Sequence, residues 1–146
     1  NTVVRQIAFY TFERKVHTAR KEGELTPDKI NEIWLEIQAE SLGDSIGIGP
    51  GYETFWAYIP HFIHSPFYVY AYAFGDCLVN SLYARYQESE AGFQEKYFTM
   101  LKAGGTQHHS ELLKPFGLDA TDPEFWQKGL SVISRLIDEL ETMENA

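Results

Sequence analysis

His61, His64, Tyr68, Tyr70 and Tyr72 fall in one stretch, Ile59 to Gly75, reading I-P-H-F-I-H-S-P-F-Y-V-Y-A-Y-A-F-G. Phenol hydroxyls and imidazole nitrogens are donors that can converge on one developing negative charge. The chemistry this spacing points to is the steadying of an oxyanion, with Gly49, Gly51 and Pro60 close by. The segment offers no nucleophile and no obvious general base. His61 and His64, three apart, can share a metal on one helical turn, but no third ligand stands near them. The plainer alternatives stay open. The tyrosines also suit a buried helix whose hydroxyls meet backbone or water, and a histidine just after proline also suits a turn cap.

A length of 146 residues fits one helical domain, 1–146, with a real core. The formal charge is −9 with no Lys/Arg cluster, which argues against nucleic acid as a partner. The one cysteine, Cys77, sits in an apolar run, where a small buried residue fits better than a reactive thiol. It precludes an internal disulfide and suits a reducing, cytoplasmic setting. Arg5, Glu13, Arg14 and Lys15 interrupt the N-terminus too early for a signal peptide. The longest apolar run, Phe67 to Gly75, is too short to span a membrane. The chain opens at Asn1, without methionine and inside a helix-like pattern, so it is expected to be part of something longer.

Helices must position these residues. Val4, Ile7, Ala8, Thr11 and Phe12 recur at helical spacing and fade by Gly23. Thr26 as cap and Pro27 at the first position open a second helix with the stripe Ile30, Ile33, Trp34, Ile37, ending near Gly43. The glycines of 44–51 allow either a loop that closes over substrate or a tight connection. A short helix or turn runs from Tyr52 to Tyr58. After it the local rules split: Tyr68, Tyr70, Tyr72 and Phe74 alternate like a strand, yet the apolar character continues through Tyr83. Ser65 as cap and Pro66 at the first position favour a buried helix. Another helix carries Phe93, Tyr97, Met100 and Leu101 and stops at Gly104-Gly105. A short one ends at Phe116-Gly117. Thr121 and Glu124 form a capping box for a last helix with the stripe Trp126, Leu130, Ile133, Ile137, Leu140. The fold class is all-α. His108-His109 opens an exposed helix, where neighbours point apart and a joint metal site is disfavoured. Arg5-Gln6 reads as a surface ion pair rather than as a support for the site.

The chain resembles the C-terminal part of an oligoendopeptidase F-type zinc metallopeptidase of the M3, thimet oligopeptidase-like family. The resemblance rests on V-V-R-Q-I-A-F-Y-T-F-E from Val3, I-P-H-F with P-F-Y-V-Y-A-Y-A-F-G around His61, A-G-G-T from Ala103, and P-F-G-L-D with D-P-E-F-W-Q-K-G-L from Pro115. It implies a mostly helical peptidase with a deep cleft for oligopeptide substrates. In that family zinc is held by a His-Glu-x-x-His helix and a downstream glutamate. Here His17, His61, His64, His108 and His109 each lack a following glutamate. The resemblance therefore puts the zinc ligands upstream of Asn1, on the rest of the parent chain. This segment is expected to bind no metal and to be inactive by itself.

By the same resemblance, His61 matches the I-P-H-F histidine, and Tyr68 and Tyr70 match the Y-x-Y pair that hydrogen-bonds the scissile carbonyl and the tetrahedral intermediate. Tyr70 is the leading oxyanion donor. Tyr72 and His64 are neighbours placed with substrate binding. Ile63 departs from the pattern, since family members often carry an aromatic there. The competing reading is a non-enzymatic helical domain that offers its aromatic surface to a protein partner.

Overall fold

The computed structural model describes residues 2–88 and 91–145. Every regular element among them is helical, so the all-α expectation holds. Asn1 lies outside the described residues. The chain divides into two compact units, residues 1–74 and 75–146.

The first unit is built on helix α1 (Thr2–Arg20) and helix α2 (Pro27–Leu42). Thr26 caps α2, its Oγ1 accepting the Lys29 N–H at 3.3 Å, and Pro27 takes a first position that needs no donor. Gly43, at φ 63°, ends the helix, and its N–H returns to the Ala39 carbonyl. Ala8, Phe9 and Phe12 from α1 meet Ile33, Trp34 and Ile37 from α2 in one core. Trp34 is fully enclosed, with Phe9 at 5.6 Å and Phe12 at 5.1 Å between ring centroids. This face differs from the forecast stripe, because Val4 and Ile7 stay exposed. The two phenylalanines bury far more apolar area and set the rotation of α1. That rotation carries the acidic Glu13 inward as well, leaving it 2% exposed.

Residues 52–58 form a 3₁₀ helix tied back to α2. The Tyr52 hydroxyl donates to Gln38 Oε1 at 3.1 Å, and the Trp56 indole N–H donates to Asn31 Oδ1 at 2.7 Å. Helix α3 (His61–His64) follows, then helix α4 (Tyr70–Glu88). The expected start at Ser65-Pro66 is displaced to Tyr70, because Phe67 adopts φ 60° and breaks any helix there. Val69, Ala73, Cys77 and Ser81 are buried here, one every fourth position, and Leu82 is buried beside Ser81. Tyr70, Tyr72, Val79, Tyr83 and Tyr86 are exposed. So α4 is not buried all round: its small residues face inward and its tyrosines outward.

The second unit adds α5 (Phe93–Ala103), α6 (His109–Leu113), a 3₁₀ turn at 114–116 and α7 (Pro123–Glu144) to the later turns of α4. Leu82, Leu113, Phe116, Leu118 and Phe125 make its core. Where α7 crosses α4, the buried Ser81 hydroxyl donates to the Phe125 carbonyl at 2.7 Å. A Cβ on Gly129 would stand 2.7 Å from the Cys77 carbonyl oxygen and 2.8 Å from Ser81 Oγ, so glycine sets this approach. Cys77 is buried, and burial together with Asp76 pushes its thiol up, which suits a packing role.

Three local readings need correction. The cap of α7 is Asp122, which accepts the Glu124 N–H at 3.0 Å; Thr121 instead gives both its N–H and its hydroxyl to Asp119. The α7 stripe is buried at Phe125, and Gly129 beside it is buried too, but Ile133 is half-buried and Ile137 and Leu140 are exposed. The His108 and His109 rings do not point apart but lie 4.0 Å from each other. His108 is the cap of α6 with extended backbone, so the divergence of neighbours on a helix does not apply to it.

Gly129→Ala should lower stability by about 1–3 kcal/mol, because the obstacle is backbone and cannot step aside. Phe125→Ala should cost about 3–5 kcal/mol and Ile133→Ala less than about 2 kcal/mol, in urea unfolding. Equal midpoints for Phe125→Ala and Ile133→Ala would show that α7 is held along its length instead. Hydrogen bonds from Lys128, then Arg85, hold the Glu88 carboxyl below its ordinary range. A depressed folded value means that its contribution is present near neutrality and is lost as pH falls through that value. The melting-temperature gap between the parent chain and Lys128→Met should therefore be widest near neutrality and close as pH falls through and below the ordinary carboxylate range. A gap that stays constant to the acid end would remove Glu88 as the cause.

Candidate active site

The core described above places the site residues through two anchors. Phe62 packs on Phe9 and Phe12, with ring centroids 5.6 and 5.1 Å away, and this fixes its neighbour His61. Val69 is 1% exposed and fixes Tyr68 and Tyr70 on either side of it. Both tyrosines are about half exposed, as is Phe67 before them.

His61, Tyr68 and Tyr72 come together. His61 Nε2 lies 3.0 Å from the Tyr72 hydroxyl oxygen. The Tyr68 ring stacks parallel to the imidazole at 6.2 Å and meets Tyr72 edge-on at 5.6 Å. If Nε2 carries the proton, it donates to the Tyr72 oxygen and leaves the phenol hydrogen free for an external acceptor. With the proton on Nδ1, the phenol hydrogen is consumed by the imidazole. The first arrangement polarises the phenol toward an oxyanion.

Tyr70 is placed differently. Its ring meets Tyr10 of α1 edge-on at 6.3 Å, and no ring contact or hydrogen bond among the described residues joins it to His61. His64 is exposed at the end of α3. Arg5 lies over the Phe9 ring at 5.0 Å, a cation–π contact in place of the expected ion pair. Tyr10 and Glu13 were missed as neighbours of the site. The signal for Glu13 was a carboxylate one helical turn from Phe9 on the inward face, which the Val4–Ile7 stripe concealed.

Among the described residues no three His, Cys, Asp or Glu side chains gather as a metal-binding group. The described residues do not fit a zinc centre. No described helix is long and apolar enough to cross a membrane.

Comparison with known proteins places this helical, histidine- and tyrosine-bearing chain. The model of peptidase family M3 matches residues 1–132. The chain is 32% identical over 143 residues to oligopeptidase PepF of Bacillus subtilis (strain 168), covering 97% of this chain and 21% of that protein. It is 30% identical to the plasmid-encoded oligoendopeptidase F of Lactococcus lactis subsp. cremoris, again over 97% of this chain and 24% of the relative. It is 29% identical to the group B oligopeptidase PepB of Streptococcus agalactiae serotype III (strain NEM316), with the same coverage. No solved structure matches. The chain belongs to peptidase family M3, and it spans less than a quarter of the length of these curated relatives.

Proposed function

We propose that this chain supplies the oxyanion-stabilising and substrate-binding side of a zinc-dependent oligoendopeptidase acting on short peptides. The observation that carries the reading is the 3.0 Å contact of His61 Nε2 with the Tyr72 hydroxyl, flanked by the Tyr68 ring. The zinc ligands belong to parent-chain residues outside this segment, and the metal supplies an activated water there. Within this chain, Tyr72 donates its hydroxyl hydrogen to the carbonyl oxygen as negative charge grows on it. His61 donates to the Tyr72 oxygen and holds the phenol in line. Tyr68 walls one side, while Tyr70 and His64 face the peptide. The geometry favours Tyr72 over Tyr70 as the donor, because Tyr70 leans on Tyr10. The buried Cys77 suits a cytoplasmic enzyme.

The test is made in the full-length protein. Tyr72→Phe should lower kcat roughly a hundredfold, the effect of about 3 kcal/mol from one lost oxyanion donor, with little change in KM. His61→Ala should fall in the same range, and Tyr70→Phe should cost less. Full kcat in Tyr72→Phe with a large loss in Tyr70→Phe would move the donor role to Tyr70. If Tyr68→Phe, Tyr70→Phe, Tyr72→Phe and His61→Ala are all silent, the oxyanion reading fails. The same result would favour the interaction-domain alternative, for which an apolar cleft of about 230 Å³ lined by Val79, Leu82, Tyr83, Tyr86, Phe93 and Tyr97 is available.

The segment alone should hydrolyse no peptide and retain no zinc after dialysis. Metal analysis showing one zinc per chain, together with chelator-sensitive cleavage, would contradict this.

A further inference from the structure

Phe67 is the only described residue other than glycine with a positive φ, 60°. It follows Pro66 in a turn closed by the Tyr68 N–H donating to the Ser65 carbonyl at 3.3 Å. Proline second and a positive φ third is the pattern of a type II turn, whose third position ordinarily takes glycine. A phenylalanine there needs something to hold it. Its N–H donates to Glu13 Oε1 at 2.7 Å, across 54 residues of sequence. One turn further along α1, the His17 ring lies 4.6 Å from the Phe67 ring. Helix α1 therefore grips both the backbone and the side chain of this residue.

The carboxylate is an unusual device. Glu13 is 2% exposed, and its second oxygen is buried without a hydrogen-bond partner. Burying a carboxylate with one oxygen unsatisfied is unfavourable, and core packing alone gives no reason for it. What it secures is one orientation of the peptide plane between Pro66 and Phe67. Rotation of that plane would turn the type II turn into a type I turn and bring φ of Phe67 to the negative side. Tyr68 closes this turn, so loss of the Glu13 contact would leave its backbone, and the ring that stands against His61 and Tyr72, less firmly held.

We propose that Glu13 is a positioning residue for the His61–Tyr68–Tyr72 site, acting through the left-handed backbone of Phe67. This rests on the peptidase reading given above. The experiment uses the full-length protein, with kcat, KM and urea midpoints measured for each variant on a short peptide. Glu13→Leu should lower kcat about 10- to 100-fold at nearly constant KM. Glu13→Gln keeps an acceptor for the Phe67 N–H and should retain most of the rate. Adding Phe67→Gly to Glu13→Leu should return much of the loss, since Pro-Gly favours the type II turn unaided. Phe67→Pro removes the N–H and forces a negative φ at a half-exposed position, so it should repeat the loss even if Glu13→Leu fails to fold. Full kcat in Phe67→Pro would overturn the proposal, as would a Glu13→Leu loss that Phe67→Gly does not relieve. If Tyr72→Phe and His61→Ala are costly while Glu13→Leu and Phe67→Pro are not, the positioning role falls and the peptidase reading stands. If these four are silent together with Tyr68→Phe and Tyr70→Phe, both fall.

Discussion

The enclosure of Trp34 is the constraint on which the site depends. With no exposed surface, its ring is met by Phe9 and Phe12 from α1 and by Tyr52 from the 3₁₀ helix. Phe62 joins the same cluster at 6.5 Å. Aromatic pairs of this kind add directional preference to the area they bury. The consequence is that Phe62 has little freedom, and His61 beside it is held without any strong contact of its own in the core. The Nε2 edge of the imidazole is left for the Tyr72 hydroxyl. A residue held by its neighbour's packing keeps its own polar atoms for other partners.

Where the sequence carried a local signal with one physical meaning, the fold was legible. Thr26-Pro27 is an example, because an extended capping residue followed by proline has few other uses. Gly43 and Gly104 ended their helices for the same reason. The failures came where two signals competed. Ser65-Pro66 looked like another cap and first position, but the same proline also opens a type II turn, and a contact 54 residues away decided between them. At Thr121, the nearer Asp119 captured the hydroxyl, and Asp122 took over the cap. Local propensity cannot weigh a long-range partner.

The candidate residues stand out in composition, while their mutual geometry appears only in the fold. His61, Tyr68 and Tyr72 stand out in the sequence, yet spacing alone gives no reason to pair His61 with Tyr72 and not with Tyr70. The pairing depends on helix phase, and phase depends on where α4 begins. Moving the start from Pro66 to Tyr70 leaves Tyr68 before the helix and Tyr72 within its first turn. The small residues Val69, Ala73 and Cys77 then face inward. A pattern search for large apolar residues passes over such a ridge, because small side chains mark close packing and not hydrophobic bulk.

The pairing of His61 with Tyr72 also limits how the site can work. One proton lies between the two ring systems, and a phenol that gives its hydrogen to the imidazole has none for substrate. The tautomer with the proton on Nε2 is required for donation by Tyr72, so whatever accepts from or donates to Nδ1 governs the donor. No described side chain forms a hydrogen bond to His61 Nδ1, and the imidazole is only partly enclosed. Water or a bound peptide can reach it from that side. A peptide carbonyl that accepts from Nδ1–H would draw the proton off Nε2 and switch Tyr72 to the unproductive direction, whereas a peptide N–H donating to Nδ1 would hold the proton on Nε2. On the proposed peptidase reading, alignment of a peptide along the imidazole would set the direction of the Tyr72 hydroxyl through one tautomeric equilibrium.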